Sequence, residues 1–198
     1  ILMKSVYSFV VTPIGKRYNN TKKIGDKELV VNTEIFNHQY INRKAKVLSI
    51  PIIGDTDIEV NDDVIVHHNV FRRWHNQHGI EKNSKSYFDK DTYIVQPDQI
   101  FLYKRFWEWR TTKGFCWVKP IKNKDKYSVS KEQDNVGIIK YSDGTFNVGD
   151  LVGFTPVSTY EFIIDGEKLY RVYTKFITIK YEYQGNEEEY NPSWAKSS

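Results

Sequence analysis

Thr145-Phe-Asn-Val-Gly-Asp-Leu-Val-Gly-Phe154 and the earlier Asp57-Ile-Glu-Val-Asn-Asp-Asp-Val-Ile-Val66 share a pattern, a short acidic turn that opens into an apolar run. Gly149 and Asn61 hold the same place in it. Gly and Asn are the residues that most readily take positive φ. The Asp after each can close a local side-chain to backbone hydrogen bond before the chain extends. One such turn is weak evidence. Two of them, each with similar runs before and after, predict a duplicated β-domain.

Outward from these turns the two halves keep matching. Phe115-Cys-Trp-Val-Lys-Pro-Ile121 mirrors Phe9-Val-Val-Thr-Pro-Ile14, each an aromatic-led strand stopped at Pro-Ile. Val136-Gly-Ile-Ile-Lys140 mirrors Ala45-Lys-Val-Leu-Ser49, and Phe176-Ile-Thr-Ile-Lys180 mirrors Gln99-Ile-Phe-Leu-Tyr103. Asp143-Gly144 and Asp165-Gly166 read as hairpin turns. Each half then reads strand, loop, strand, turn, strand, excursion, strand, strand. Short strands at regular spacing with turn chemistry between them predict small barrels or sandwiches. The expected division is a β-barrel over 1–104, an aromatic connector over 105–114, a second barrel over 115–184 and a flexible tail over 185–198. Phe106, Trp107 and Trp109 make the connector too apolar for a free linker, so it should pack between the halves or form a seam to another subunit.

Composition agrees with an all-β chain. The 198 residues include 14 Tyr and 11 Phe with many Val and Ile, which favour strands, while Ala is nearly absent. A mean hydropathy of -0.60 describes a polar surface. The formal charge of +4 is mild and its Asp and Glu are interspersed, which disfavours nucleic acid as a partner. The single Cys116 excludes an intrachain disulfide and fits a reducing compartment. No apolar run reaches bilayer length, and no signal-peptide core opens the chain, so a soluble, cytoplasmic protein is expected.

Two excursions hold the candidate sites. Gly15 to Lys27 has no apolar period and reads as an exposed, mobile loop, with a phosphate-contacting loop as the alternative. It ends in Glu28-Leu-Val-Val31, whose three apolar residues either join a sheet or wait for a partner. His67 to Lys90 gathers four of the five histidines within twelve residues. The spacing of His75 and His78 suits a metal pair, but adjacent His67 and His68 point to opposite faces of an extended chain and no Cys lies nearby, so no metal is expected. The preferred reading is a decorated hairpin in which Phe71, Trp74, Tyr87 and Phe88 pack on themselves or on a neighbour. Phe71, Arg72, Arg73 and Trp74 form a roof or interface candidate, and such a cluster also suits stacking on nucleobases. No catalytic set emerges, because Cys116 has no evident His partner and the carboxylates are scattered. No phosphate-binding glycine loop is present either, so no cofactor is expected.

In this order, these residues resemble the GroES-type co-chaperonins (the chaperonin-10 family). Glu28-Leu-Val-Val31 resembles that family's apolar mobile-loop tip, and Ala45-Lys-Val-Leu-Ser49 the strand that follows. Val60-Asn-Asp-Asp-Val64 and Val148-Gly-Asp-Leu-Val152 resemble its turn and strand, and 67–90 falls where its roof hairpin belongs. The family's glycines before the tip are absent here, the first roof is enlarged, and the second loop, 122–134, lacks an apolar tip. The resemblance implies two GroES-like barrels in tandem, a ring-forming homo-oligomer, and a chaperonin ring of the host as partner. Glu28, Leu29, Val30 and Val31 would make the contact. It implies assistance to protein folding in a nucleotide-dependent cycle, with viral capsid proteins as clients if the source is a phage and the host cytoplasm as location. The alternative is a viral structural or nucleic-acid-binding β-barrel protein that contacts its partner through Phe71 to Trp74. An enzyme of the related dehydrogenase type would need a dinucleotide domain and ligand cysteines, and neither is found.

Overall fold

A computed structural model describes residues 4–18, 21–30, 41–125, 127–156 and 159–197. It is all-β, and helix among the described residues is confined to short 3-10 turns. The chain divides into two compact units, Ile1–Glu108 and Trp109–Ser198.

The first unit contains β1 (Phe9–Pro13), β2 (Thr21–Ile24), β3 (Lys27–Val30), β4 (Lys44–Ser49), β5 (Asp63–Val66), β6 (Arg73–His75), β7 (Glu81–Asn83), β8 (Tyr87–Asp89), β9 (Thr92–Val95) and β10 (Ile100–Arg105). The boundary between units falls within β11 (Glu108–Thr111). The second unit continues with β12 (Phe115–Lys122), β13 (Glu132–Tyr141), β14 (Leu151–Phe154), β15 (Tyr160–Ile164), β16 (Glu167–Tyr173) and β17 (Ile177–Tyr181). The hydrogen-bonded order of the first sheet is β11-β10-β5-β4-β1-β9-β8, and that of the second is β15-β16-β12-β13-β14-β17. Read from opposite ends and without β11, the two orders are the same.

The registers agree strand by strand. Val11 faces Val47 and Pro13 faces Ala45 in the first unit; Val118 faces Ile139 and Pro120 faces Gly137 in the second. A register shift separates Val10 from Val11, and another separates Trp117 from Val118. Pro at 13 and 120 cannot donate to a ladder; β1 ends at Pro13, whereas β12 passes Pro120 through a register shift and pairs again at Lys122 with Glu132. The 3-10 turn Pro97–Gln99 precedes β10 as Thr174–Phe176 precedes β17. The cores coincide as well. Cys116, Val118, Ile139, Val152, Phe154, Val172 and Ile177 fill the second core. Their ladder equivalents Phe9, Val11, Val47, Val64, Val66, Val95 and Ile100 all lie in the first.

The acidic turns act as their sequence implies. Asn61 (φ 74°) and Gly149 (φ 93°) are both left-handed. Asp62 accepts the Glu59 N–H at 2.8 Å, and Asp150 accepts the Asn147 N–H at 3.1 Å. A cation from β10 or its counterpart β17 then reaches that Asp, Arg105 at 3.0 Å in the first unit and Lys180 at 2.9 Å in the second.

Two expected boundaries change. The supposed connector 105–114 is the end of β10, a two-residue turn and β11, because Trp109 and Arg110 continue the alternation of a strand. The supposed flexible tail is docked. Tyr190 N–H donates to Pro120 O at 2.8 Å, Ile121 bridges Glu189, Asn191 Oδ1 accepts Lys168 N–H at 2.8 Å, and Ala195 is fully buried.

Candidate partner-binding surface

The region expected to be an aperiodic loop contains a two-stranded hairpin of its own. Ile24 faces Lys27 across Gly25-Asp26, and Gly25 (φ 60°) supplies the positive φ that a tight two-residue turn requires. The base of the excursion is clamped. Tyr18 and Ile41 bridge each other in the core, and Asn42 Nδ2 donates to Ile14 O at 2.8 Å and Lys16 O at 2.9 Å. Directly paired residues share a face and neighbours along a strand alternate. Ile24 and Leu29 therefore share one face of the hairpin, and Val30 lies on the other. Their exposures are 58%, 50% and 59%. Glu28 is tied down, accepting Lys16 Nζ at 2.6 Å and Thr21 Oγ1 at 2.5 Å. Among the four expected contact residues, Leu29 and Val30 are thus presented, Glu28 braces the hairpin, and Val31 lies outside the described residues. Ile24 is the addition. Its signal was the run Ile24-Gly-Asp-Lys27, a turn dipeptide flanked by alternating residues.

The roof candidate splits in two. Val70 and Phe71 are fully buried, and the Phe71 ring meets Tyr93 edge-on at 4.8 Å. Phe71 therefore belongs to the core, with no ring surface to offer a partner. Arg73 lies over the Tyr18 ring at 4.7 Å, pairs with Glu81 at 3.1 Å, and donates its backbone N–H to Tyr18 Oη. Arg17 donates to Phe71 O at 3.0 Å and to Asn83 Oδ1 at 2.8 Å. These cations fasten the β6–β7 hairpin to the sheet. Trp74, opposite Lys82, is 44% exposed and remains at the surface, while Arg72 is half-buried. His67 stacks on His68 at 4.2 Å and accepts the Asn69 N–H through Nδ1, so that pair is organised by local contacts.

Chemistry-bearing side chains in the second unit brace strands. Buried Lys168 pairs with Glu132 and Glu161, each at 3.1 Å, and Tyr170 Oη donates to Glu132. Burial alone would lower the Lys168 pKa, but its hydrogen bonds to Tyr170, Glu132 and Glu161 raise it. Tyr170 is pushed up to about 12, first by burial and then by Glu132. Cys116 is buried, its sulfur 3.6 Å from Thr174 Oγ1. No group of three or more His, Cys, Asp or Glu suited to a metal ion occurs among the described residues.

Two further surface features stand out, the first of them on residues the sequence had marked as a connector or subunit seam. Phe106 (φ 48°) and Trp107 (φ 73°) form the β10–β11 turn and are 83% and 92% exposed. Positive φ at both central positions is the type I′ turn, which normally takes Asn-Gly or Asp-Gly. Asp165 (φ 48°) and Gly166 (φ 81°) obey that rule in this same chain. For L-residues with a Cβ the left-handed region costs about 1–2 kcal/mol each. A Phe-Trp dipeptide carries no turn signal, so this turn was illegible. The second feature is a groove of about 260 Å³ in the second unit, whose lining includes Ile121, Val136, Leu151 and Tyr181. By register these stand where the first unit has Ile14, Lys44, Asp63 and Lys104. Three of those four first-unit residues are charged, while in the second unit Ile121 and Leu151 are buried and Lys124, Gln133, Glu182, Gln184 and Glu187 complete the lining.

No protein-family model matches this chain, and no curated protein matches it. The described residues present a clamped hairpin bearing Ile24 and Leu29 and an exposed Phe106-Trp107 turn.

Proposed function

We propose that this chain is a co-chaperonin, a lid for the chaperonin ring of its host that assists protein folding in a nucleotide-dependent cycle. The observation that carries this reading is the β2–β3 hairpin, a small apolar surface projected from the first unit on a clamped base. Two GroES-like β-units in tandem would form the body of the lid. Ile24 and Leu29 are the proposed contact pair, with Val30 on the opposite face. Burying each apolar side chain contributes about 1.5–3 kcal/mol, so one hairpin binds weakly and reversibly. A ring of such chains repeats the contact and gains by avidity. ATP is hydrolysed by the partner in this scheme. The nucleic-acid alternative, which would use Phe71, Arg72, Arg73 and Trp74, is weakened because Phe71 is buried in the core and Arg73 is paired with Glu81.

The test is binding to a bacterial chaperonin with and without ATP, using wild type, Ile24→Asp/Leu29→Asp and Val30→Asp. Nucleotide-dependent binding is expected, weakened tenfold or more by the double change and less by Val30→Asp. Absence of binding by folded wild-type protein to every chaperonin tried would sink the proposal. Equal loss in both variants would reassign the contact face.

A further inference from the structure

β13 departs from its first-unit counterpart β4 at one place. Between the pairs Pro120–Gly137 and Lys122–Glu132, a two-residue step on β12 is matched by a five-residue step on β13. An ordinary bulge adds one residue to one strand; this one adds three and makes 133–136 an arch. The first unit has no such insertion there. β1 and β4 step together from Thr12–Lys46 to Pro13–Ala45, and the Ile14 N–H then donates to Lys44 O. Within the arch Asn135 is left-handed, with φ 57°. Glycine would hold that conformation freely, so asparagine keeps its amide there at a small backbone cost. Bulges recur beside active sites, where they re-aim side chains.

The arch forms one wall of a cavity of about 300 Å³, at the small end of the range for small-molecule sites. Glu132, also in the lining, is held in place by accepting Tyr170 Oη and Lys168 Nζ. Lys168 neutralises it in part, so this wall is a fixed polar surface rather than a free anion. Asp134, Asn135 and Thr159 add a carboxylate, an amide and a hydroxyl, and Phe154 and the Tyr170 ring add apolar surface. Mixed donors and acceptors beside an aromatic ring match a saccharide, whose hydroxyls each donate and accept and whose C–H faces are apolar. A cationic ligand fits less well, because Lys168 already engages the carboxylates of Glu132 and Glu161.

We infer that the β13 arch and the Tyr170–Glu132 pair form a binding site for a neutral saccharide on the second unit. Asp134 and Asn135 bond the sugar hydroxyls, and an apolar sugar face rests on the Tyr170 ring. A single sugar ring has about a dozen heavy atoms, which sets its affinity in the millimolar range. The site shares no residue with the β2–β3 hairpin, so it stands or falls separately from the co-chaperonin reading.

Titration of the full chain with glucose, galactose, mannose and N-acetylglucosamine tests it, by calorimetry and by amide NMR shifts, with spermidine as the cationic control. At least one sugar should saturate in the millimolar range, with shifts centred on 132–136, Thr159 and Tyr170. Asn135→Gly removes the amide and suits the left-handed backbone. It should unfold no lower in temperature than wild type while binding that sugar about fivefold more weakly. Asp134→Ala, at an exposed position, should weaken binding to a similar degree with little change in Tm. No saturation by any of the four sugars up to about 100 mM would overturn the proposal. So would tighter binding of spermidine than of sugar at the arch, or sugar binding that survives both variants.

Discussion

Gly137 shows how much a single hydrogen can decide. A Cβ placed there would lie 2.4 Å from Lys119 O and 2.6 Å from a Val118 methyl, whereas its equivalent in the first unit is a buried Ala45. Gly137→Ala should destabilise the second unit by about 1–3 kcal/mol, as overpacking does, measured by urea denaturation. A change below about 0.5 kcal/mol would show that β12 and β13 separate freely at this point. Asp143 makes a second residue-level case. Burial alone would raise its pKa, but donors from Thr174, Thr145 and Gly114 together hold it below the usual range. A carboxyl depressed in the folded state stabilises above its unfolded pKa, near 4, and that contribution fades as pH falls through the lower folded value. Asp143→Asn should therefore lower Tm at pH 7 and differ little from wild type near pH 2. An equal loss at both pH values would mean that the charge is irrelevant. The paired turns were readable at this scale because Asn61, Gly149 and the following Asp residues act through local backbone chemistry. Phe71 was not, because an aromatic in a polar run looks the same whether it faces the core or a partner.

Among the elements, strands with clear alternation were legible, and so were the stop at Pro13 and the Asp165-Gly166 turn, whereas β12 runs on through Pro120-Ile121 to Lys122. The ladder places Gly137, not Val136, opposite Pro120, a one-residue offset from the sequence match that only pairing reveals. What escaped depended on distant partners. The segment after Gly185 is polar and looks free, yet Asn191 bridges Lys168 N–H and Gly166 O, and Lys122 pairs with Glu188. Asn191→Ala should cost about 1 kcal/mol by loss of these bonds, read from the denaturation midpoint. An unchanged midpoint would return the segment to the status of a loose tail. The β2–β3 hairpin was half legible. Its apolar residues were noticed as a run, but alternation on a ladder sorts that run into two faces.

At the scale of the molecule, each unit has its own core and strand order, with a boundary inside β11. Val11→Ala and Val152→Ala each remove methyl groups from one core only, and each should lower a different transition in calorimetry by about 1–3 kcal/mol. Both substitutions shifting the same single transition would show that the units unfold together. Composition alone indicated the all-β class, and internal matching indicated the duplication. Which residues line the second-unit groove was hidden, because Val136, Leu151 and Tyr181 come together only when three strands distant in sequence pair.

The placement of β1 has a kinetic consequence. It lies between β4 and β9, and Phe9 pairs with Val95, 86 residues later in the chain. Loop closure over that length must precede the contacts that reward it, so the first unit should refold slowly, in milliseconds to seconds. On the ribosome its central strand waits, with one edge unsatisfied, until nearly the whole unit has emerged.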